Sequence, residues 1–225
     1  MKDIQQDLLA QFRPPAYPGS FFLSFEGIEG AGKSTQILKL KEFLEEKKFR
    51  VIILREPGGT SFGEKLRSAI LNTKTALHPL AETFLFLASR AQLLDEVTLK
   101  ELAVPNTVVI YDRYLDSTLS YQGVARNVGI KTILEMHKCF PLNLIPHLTI
   151  YLKISLETSL KRQEKRERDK DYFESQKSNF HQKLIEGYES AAELFPKRIA
   201  VVNGERSEND VFKDINILVN QTLIK

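Results

Sequence analysis

The sequence predicts an α/β fold in which one parallel sheet of five strands lies between two layers of helices. Five short segments are apolar at nearly every position, which is typical of strands that are buried on both faces. Segments with helical spacing of apolar residues alternate with them, and this alternation is typical of a parallel sheet. The predicted strands are residues 21–25, 51–54, 107–111, 147–152 and 199–202.

Capping residues and helical spacing place the helices between these strands. Thr60 and Ser155 are suited to cap two helices, and Pro79 is suited to open another. Helices are also predicted directly after the first strand, after the third strand as far as residue 121, over about residues 174–194, and from residue 208 onward. The apolar faces of the first three helices are expected to carry Ile37, Leu40 and Leu44, then Phe62, Leu66 and Ile70, then Phe84, Leu87 and Leu94.

Composition indicates one domain and gives little support for large charged partners. The 225 residues suffice for one domain with a substantial core, which we assign to residues 21–225. A net charge of +3 is too small to predict binding to nucleic acid, and no apolar run approaches the roughly 20 residues that span a membrane. Residues 1–20 carry acids and prolines without an apolar signal-peptide core, so we expect a flexible extension on a cytoplasmic protein.

The single cysteine, Cys139, gives no sign of a disulfide scaffold. It lies within the apolar run of residues 133–140, which has the pattern of a helix face, so we expect a buried thiol.

Polar motifs follow the first three predicted strands. In open parallel sheets, ligands bind beyond the carboxyl ends of the strands. The residues after the first strand, GIEGAGKS at positions 27–34, match the phosphate-binding pattern G-x-x-x-x-G-K-[ST] in full, between an apolar strand and an amphipathic helix. Backbone N–H groups of such a loop bind phosphate oxygens, while Lys33 reaches the β- and γ-phosphates and Ser34 offers a hydroxyl to Mg²⁺. The sequence therefore predicts binding of a nucleoside triphosphate, but the loop alone does not define a reaction.

Three segments together resemble the bacterial thymidylate kinases, which are nucleoside monophosphate kinases. They are FEGIEGAGKST (residues 25–35), REPGGT (residues 55–60), and DRY (residues 112–114) with Ser117, Tyr121 and Gln122 after it. The order and spacing match from about residue 21 to the C-terminus, and the REPGGT hexapeptide is the most specific of the three. The resemblance implies a P-loop NTPase-type three-layer α/β/α sandwich that phosphorylates dTMP with ATP and Mg²⁺, acts in dTTP synthesis and forms a homodimer through helices near the thymine site.

The resemblance also implies roles for individual residues. Arg55 and Arg113 hold the dTMP phosphate, and paired guanidinium N–H groups suit phosphate oxygens. Glu26 lies near the dTMP sugar and phosphate; a buried carboxylate that accepts loop N–H bonds is the alternative interpretation, and the two are compatible. Phe86 stacks on the base, but core packing is a serious alternative for it. The other base and sugar contacts are Arg90, Thr118, Tyr121 and Gln122.

The ATP side of the site is assigned in the same way. Asp112 ends an apolar strand, as an acid that steers Mg²⁺ does, and Ser34 is the second Mg²⁺ residue. Family members whose loop lacks a basic residue supply a catalytic arginine from a lid, and Glu29 is acidic. We therefore expect a lid at about residues 161–173, with Arg166 as the first candidate and Arg162 as the second. For most residues of this charged stretch, a solvated helix with i,i+4 ion pairs is the preferred alternative. The residues expected at ATP are Gly27, Ile28, Glu29, Gly30, Ala31, Gly32, Lys33, Ser34 and Thr35.

Two alternatives remain open at this stage. One is a kinase for another acceptor, such as dUMP or a deoxynucleoside, which competition between substrates would separate. The other is a non-catalytic module that binds ATP, and loss of loop residues would be its mark. The loop is intact, and the dTMP kinase remains the preferred interpretation.

Overall fold

The central sheet has five parallel strands in the order β2-β3-β1-β4-β5. The computed structural model describes residues 6–73, 75–164 and 178–223. The prediction of a parallel sheet between helices is confirmed, and each strand begins and ends within a residue or so of its predicted bounds. The strands are Phe21–Glu26 (β1), Arg50–Arg55 (β2), Thr107–Asp112 (β3), Leu148–Lys153 (β4) and Ile199–Asn203 (β5).

The register of the central strands brings three polar segments to one edge. Phe25 is paired with Asp112, and Asp112 is paired in turn with Arg55. Because the strands are parallel, the loops that follow β1, β2 and β3 leave the sheet side by side. The phosphate-binding loop, the REPGGT loop and the DRY segment therefore meet at this edge.

Helices cover the sheet and connect its strands. Thr60 caps its helix as predicted, because its hydroxyl accepts a hydrogen bond from the Gly63 N–H at 2.9 Å. Ser155 does the same for its helix through the Thr158 N–H at 3.1 Å. The helices are Gln6–Leu9 (α1), Lys33–Glu46 (α2), Ser61–Leu71 (α3), Pro79–Leu93 (α4), Leu99–Leu102 (α5), Leu115–Thr118 (α6), Ile130–Met136 (α7), Leu156–Glu164 (α8), Ser178–Leu194 (α9) and Glu208–Leu223 (α10).

Two π-helical segments extend the helices beyond the predicted pattern. Leu94–Thr98 follows α4, and Leu119–Ala125 follows α6. A π-helical turn holds more residues than an α-helical turn, and such turns often occur at functional sites. The second segment carries Tyr121 and Gln122, and both side chains are buried.

The core fills both sides of β1 and β3. Phe22, Tyr111 and Tyr114 form a buried aromatic cluster in which the ring centroids are 5.0–5.2 Å apart with edge-to-face geometry. Two of the apolar positions predicted on helix faces lie outside the core, since Phe62 is 47% exposed and Phe84 is 56% exposed. Helical spacing predicts which residues share a face, but it does not predict which side of a wide apolar face stays exposed to solvent.

Residues 6–20 pack against the domain, which differs from the flexible extension predicted for residues 1–20; residues 1–5 lie outside the described part of the chain. Phe12 is buried and its ring lies 6.2 Å from the ring of Phe195 at the end of α9. Arg13 forms a parallel bridge with Leu144, and its carbonyl accepts a hydrogen bond from the Ile145 N–H at 3.1 Å. The prolines exclude regular structure as expected, but isolated apolar residues between them still provide anchors.

The expectation for Cys139 is wrong, because its side chain is exposed. Helix α7 ends at Met136, so the residue lies past the buried face of that helix. Part of the predicted lid, and the start of the helix predicted at residue 174, fall on residues 165–177, outside the described part of the chain.

Candidate active site

The loop between β1 and α2 has the backbone of a phosphate cradle. Gly27, Gly30 and Gly32 all have positive φ, at 137°, 80° and 94°. At Gly27 a Cβ atom would lie only 2.6 Å from the carbonyl oxygen of Leu152, so no other residue fits there without a shift of the neighbouring strand. Helix α2 begins at Lys33, so its N-terminal N–H groups face the loop.

Lys33 is buried at the centre of this loop. Its ammonium group donates to the carbonyl oxygens of Gly27 at 3.0 Å and Ile28 at 3.4 Å. Burial, together with the nearby charge of Arg113, lowers the pKa of Lys33 to about 8. A cation that is poorly solvated and close to another cation binds a polyanion more favourably than an exposed lysine does.

Arg113 lies between the phosphate-binding loop and a cavity that is described below. It leaves β3 with a positive φ of 73°, which turns its side chain back toward the loop. The guanidinium donates to the Gly27 carbonyl at 3.0 Å, to the Tyr188 hydroxyl at 2.8 Å and to the Glu29 carboxylate at 2.7 Å.

Glu29 is the acid inside the loop, and it is held by two partners. Besides Arg113, the hydroxyl of Tyr121 donates to the same carboxylate oxygen at 2.5 Å. Burial opposes ionisation of Glu29, but the charges of Arg113 and Lys33 outweigh it and lower the pKa of this carboxyl. The loop is thus tied to the third strand and to the second π-helical segment by one short chain of contacts.

A cavity beside Arg113 collects most of the residues predicted at the acceptor nucleotide. We call it the Phe86 cavity. Phe86 is half-buried and packs against the core, as the alternative interpretation predicts; it also lines the cavity, and its stacking on a base stays a prediction. The lining comprises Glu29, Glu56, Pro57, Arg67, Leu71, Phe86, Arg90, Arg113, Tyr114, Ser117, Thr118, Tyr121 and Gln122.

Arg90 is fully buried at the base of the Phe86 cavity. Its Nε donates to Glu56 at 2.8 Å, and one terminal nitrogen contacts both Glu56 and the Thr118 hydroxyl, the latter at 3.1 Å. The other terminal nitrogen donates to Nε2 of His137 at 2.7 Å. Burial raises the pKa of Glu56, and the adjacent guanidinium only partly opposes this effect.

His137 accepts from Arg90 because its ring is neutral. Burial and the charge of Arg90 lower the pKa of His137 to about 3. The ring nitrogen Nδ1 is 2.7 Å from the carbonyl of Ile133, so Nδ1 carries the proton and donates there. Among the described residues, Glu56, Thr118 and His137 engage four of the five N–H groups of Arg90.

Glu26 lies behind the cavity and is fully buried. One carboxyl oxygen accepts from the Tyr114 N–H at 2.7 Å, and the other contacts the Ser117 hydroxyl at 2.6 Å. The buried carboxyl of the alternative interpretation is found, but its backbone donor is Tyr114 of the DRY segment and not an N–H group of the phosphate-binding loop. Burial and the neighbouring charge of Asp116 raise the pKa of Glu26 to about 8.

A second cavity lies on the other side of the loop. We call it the Gly30 cavity. Arg162 of α8 closes one side by donating to the carbonyl oxygens of Gly30 at 3.1 Å and Gly204 at 2.9 Å. Its lining is Gly30, Ala31, Gly32, Thr35, Gln36, Arg162, Gly204, Arg206, Glu208 and Val211.

Asp112 and Ser34 stand at the mouth of the loop. The Oδ1 atom of Asp112 is buried and has no hydrogen-bond partner among the described residues, whereas Ser34 is exposed in the first turn of α2. A buried carboxylate oxygen without a partner suits a divalent cation. No group of three or more His, Cys, Asp or Glu side chains forms a metal cage in the described ranges, so such a cation would depend on phosphate oxygens and water for its remaining ligands.

The structure does not bring Arg55 to the Phe86 cavity. Its guanidinium pairs with Glu64 at 3.2 Å on the surface. Arg67 lines the cavity instead and donates to the Pro57 carbonyl at 3.0 Å. Arg166, the first candidate in the lid, lies outside the described residues.

Several residues of the site were not predicted. Glu56 is part of the REPGGT motif and could have been chosen as the partner of a buried arginine. His137, Tyr188 and Glu82 carry no local motif, because they approach the site from distant parts of the chain.

The phosphate-binding loop carries its lysine and adjoins the Phe86 cavity, which is lined by arginines and an aromatic ring. This arrangement is typical of a P-loop kinase for a small phosphorylated acceptor. The family described as "Thymidylate kinase" matches residues 25–215. The chain is 39% identical over 202 residues to the thymidylate kinase of Thermoanaerobacter sp. (strain X514), which covers 90% of this chain and 98% of that protein. It is 41% identical over 201 residues to the thymidylate kinase of Acholeplasma laidlawii (strain PG-8A), which covers 88% and 98%.

A solved structure also resembles this chain over most of its length. The crystal structure of thymidylate kinase from Ehrlichia chaffeensis has a TM-score of 0.68 with this chain at 26% identity, over 90% of this chain and 99% of that one. The chain belongs to the thymidylate kinase family. The reaction of this family is ATP-dependent phosphorylation of dTMP to dTDP for nucleotide synthesis, and the chain is a kinase of this kind.

Proposed function

We propose that the chain transfers the γ-phosphate of ATP directly to a phosphate oxygen of dTMP, with ATP on the loop and dTMP in the Phe86 cavity. The observation that carries this proposal is Arg113, which bonds the Gly27 carbonyl of the loop and also lines the Phe86 cavity. One guanidinium is therefore positioned to contact both phosphate groups. In-line transfer requires this proximity, and well-oriented reactants gain much of their rate from it.

ATP is held by the loop and by the Gly30 cavity. Residues 27–35 supply N–H groups to its phosphates, Lys33 neutralises the β- and γ-phosphates, and the base lies toward Gly204. Ser34 and Asp112 would hold Mg²⁺, which fits the buried Asp112 oxygen that has no partner in the described part of the chain. Bound Mg²⁺ would supply charge neutralisation on the phosphate oxygens.

The acceptor is held by the residues that line the Phe86 cavity. Arg113 binds the dTMP phosphate, with Arg67 in place of the exposed Arg55. Phe86 stacks on the thymine, while the remaining N–H of Arg90 donates to a base carbonyl. Thr118 and Gln122 lie beside the base, and Tyr121 crowds the sugar. Glu26 orders this wall through Tyr114 and Ser117 and has no direct contact with substrate.

Catalysis consists of positioning and charge stabilisation. The dTMP phosphate is already largely ionised near neutral pH because its second pKa is about 6. A strong general base is therefore unnecessary. Lys33 and Arg113 stabilise the charge on the transferred group, and Arg162 adds a cation from α8. Arg166 remains the lid candidate on the sequence prediction alone.

A panel of acceptors tests the proposal. ATP consumption is measured with dTMP, dUMP, UMP, CMP, AMP and GMP in the presence of Mg²⁺. We expect a clear preference for dTMP. Preference for another monophosphate would retain the phosphate loop but overturn the base contacts, and ATP binding without transfer to any acceptor would favour a nucleotide-binding module.

We also propose a homodimer that acts in the cytoplasm on free nucleotides, without nucleic acid or membrane partners. Helices α3 and α4 pack together and carry exposed apolar side chains, Phe62, Leu80 and Phe84. Contiguous exposed apolar surface often marks a protein–protein contact, so we place the dimer contact on these two helices. None of the helices in the described ranges has the length and apolar character that crossing a bilayer requires.

A further inference from the structure

The side-chain amide of Gln122 is held in one orientation by a buried carboxylate. Gln122 lines the Phe86 cavity from the second π-helical segment. Its Nε2 donates to Oε1 of Glu82 at 2.8 Å, and Glu82 is fully buried. A carboxylate accepts hydrogen bonds and does not donate them, so the NH₂ end of the amide must face Glu82.

Glu82 is stabilised in this place from two sides. It lies in the first turn of α4, where the N-terminal end of the helix favours a negative charge. Nε of Arg126 lies 3.3 Å from its other oxygen, and Arg126 in turn packs over the ring of Phe180. The helix end and the ion pair together fix the position of the carboxylate.

The carbonyl end of the Gln122 amide is left for the cavity. Oε1 of Gln122 has no hydrogen-bond partner among the described residues, and the side chain lines the space where the base is proposed to lie. Thymine presents N3–H, a donor, beside its O4 acceptor. Cytosine presents an N3 acceptor beside an amino group. A carbonyl toward N3 therefore matches thymine and opposes cytosine.

We propose that Glu82 is a specificity-determining residue, which orients the Gln122 amide so that the site accepts the N3–H of thymine and rejects cytosine. Glu82 acts through Gln122 and has no contact with the base, so it is a positioning residue. Arg90 completes the pattern, because its remaining N–H matches the O4 of thymine and opposes the amino group of cytosine. This inference rests on the proposed placement of dTMP in the Phe86 cavity.

The test compares dTMP with dCMP as acceptors for the wild type and for Glu82→Gln. In the variant, the new amide can donate as well as accept, so the Gln122 amide is free to turn over. We expect the ratio of kcat/KM for dTMP to that for dCMP to fall about tenfold, the factor that one net hydrogen bond supplies. The KM for ATP is expected to stay unchanged, because Glu82 is remote from the loop.

Two further variants separate orientation from folding. Glu96→Gln makes the same change at an exposed carboxylate, which accepts a hydrogen bond from Gln92 at 2.8 Å, so its acceptor ratio should match the wild type. Glu82→Asp keeps the charge but withdraws the carboxylate from the amide, so its ratio should fall even if Glu82→Gln does not fold. A ratio within about twofold of the wild type in a folded Glu82→Gln or Glu82→Asp variant would overturn the assignment. A wild type that does not phosphorylate dTMP would instead overturn the proposed function.

Discussion

At the carboxyl edge of the sheet, a residue that is suited to bind phosphate can lower the stability of the fold. Lys33 is the simplest case, because it is buried and its ammonium group bonds two loop carbonyls. Its burial disfavours the charged form, as its lowered pKa shows. The residue therefore contributes more to binding phosphate than to the stability of the fold.

Because Lys33 contributes to phosphate binding and not to stability, Lys33→Met should change activity without unfolding the protein. We expect kcat to fall by at least about 10²-fold, the usual cost of removing one charge-stabilising group. The free energy of unfolding should stay equal or rise slightly, because a poorly solvated charge is removed. Steady-state kinetics and urea unfolding measure the two effects, with Lys41→Met on the same helix as the control. Near-normal turnover in the folded variant would contradict the mechanism.

Glu26 predicts a dependence of stability on pH. Its pKa is about 8 in the folded protein and near 4.5 when unfolded, so the folded state binds more protons between these values. Stability contributed by this group is therefore full below about pH 4.5 and falls as the pH rises toward 8. From pH 5.5 to 7.5 the wild type should lose about 2–3 kcal/mol through this group.

Glu26→Gln should remove that loss while keeping the neutral hydrogen-bonding shape. Urea unfolding of both proteins at the two pH values gives the difference, with Glu42→Gln as an exposed control. Parallel changes in the wild type and Glu26→Gln would show that another group controls the effect.

At this scale the sequence predicts residues that sit in motifs and misses their buried partners. Lys33, Arg113 and Asp112 follow strands in recognisable patterns, and the structure places them together. Arg55 was expected beside the substrate, but Glu64 lies within reach nine residues later and pairs with it on the surface. His137 and Glu82 depend on tertiary packing, since each meets its partner across more than 35 residues.

The positions of helices and strands were predicted better than the contacts of single side chains, because composition marks the strands and helical spacing marks most helices. The strands are apolar on both faces and short, so their bounds follow from composition. The π-helical segment Leu119–Ala125 departs from helical spacing, and no simple periodic pattern marks it. The N-terminal segment shows a different limit, because its prolines exclude a helix but do not reveal that Phe12 reaches the core.

The packing of this segment gives a prediction for Phe12→Ala. The side chain is 6% exposed and contacts Phe195, so its removal leaves a cavity beneath the segment. We expect the free energy of unfolding to fall by about 3 kcal/mol. Urea unfolding measures it, and Arg13→Ala is the matched control, because that side chain is exposed and only its backbone forms the bridge. A change below about 0.5 kcal/mol for Phe12→Ala would mean that the segment does not pack in solution.

For the whole molecule, the exposed apolar side chains on α3 and α4 predict the assembly state. Phe84→Asp places a charge on that surface and should convert a dimer into a monomer. Size-exclusion chromatography with light scattering measures the mass of each species. Ile217→Asp is the control, because this residue is equally exposed but lies on α10, and it should leave the dimer intact. A monomeric wild type would contradict the proposed homodimer.

The contact between Arg113, Glu29 and Tyr121 has a consequence for inhibitor resistance. A compound that fills the Phe86 cavity must touch Arg113 or Tyr121, and both side chains bond the Glu29 carboxylate of the phosphate loop. A substitution that evades the compound at either residue also releases Glu29 beside Lys33. Resistance substitutions at Arg113 or Tyr121 should therefore also raise the KM for ATP. Resistant lineages are expected to grow more slowly or to carry a compensating substitution in the loop.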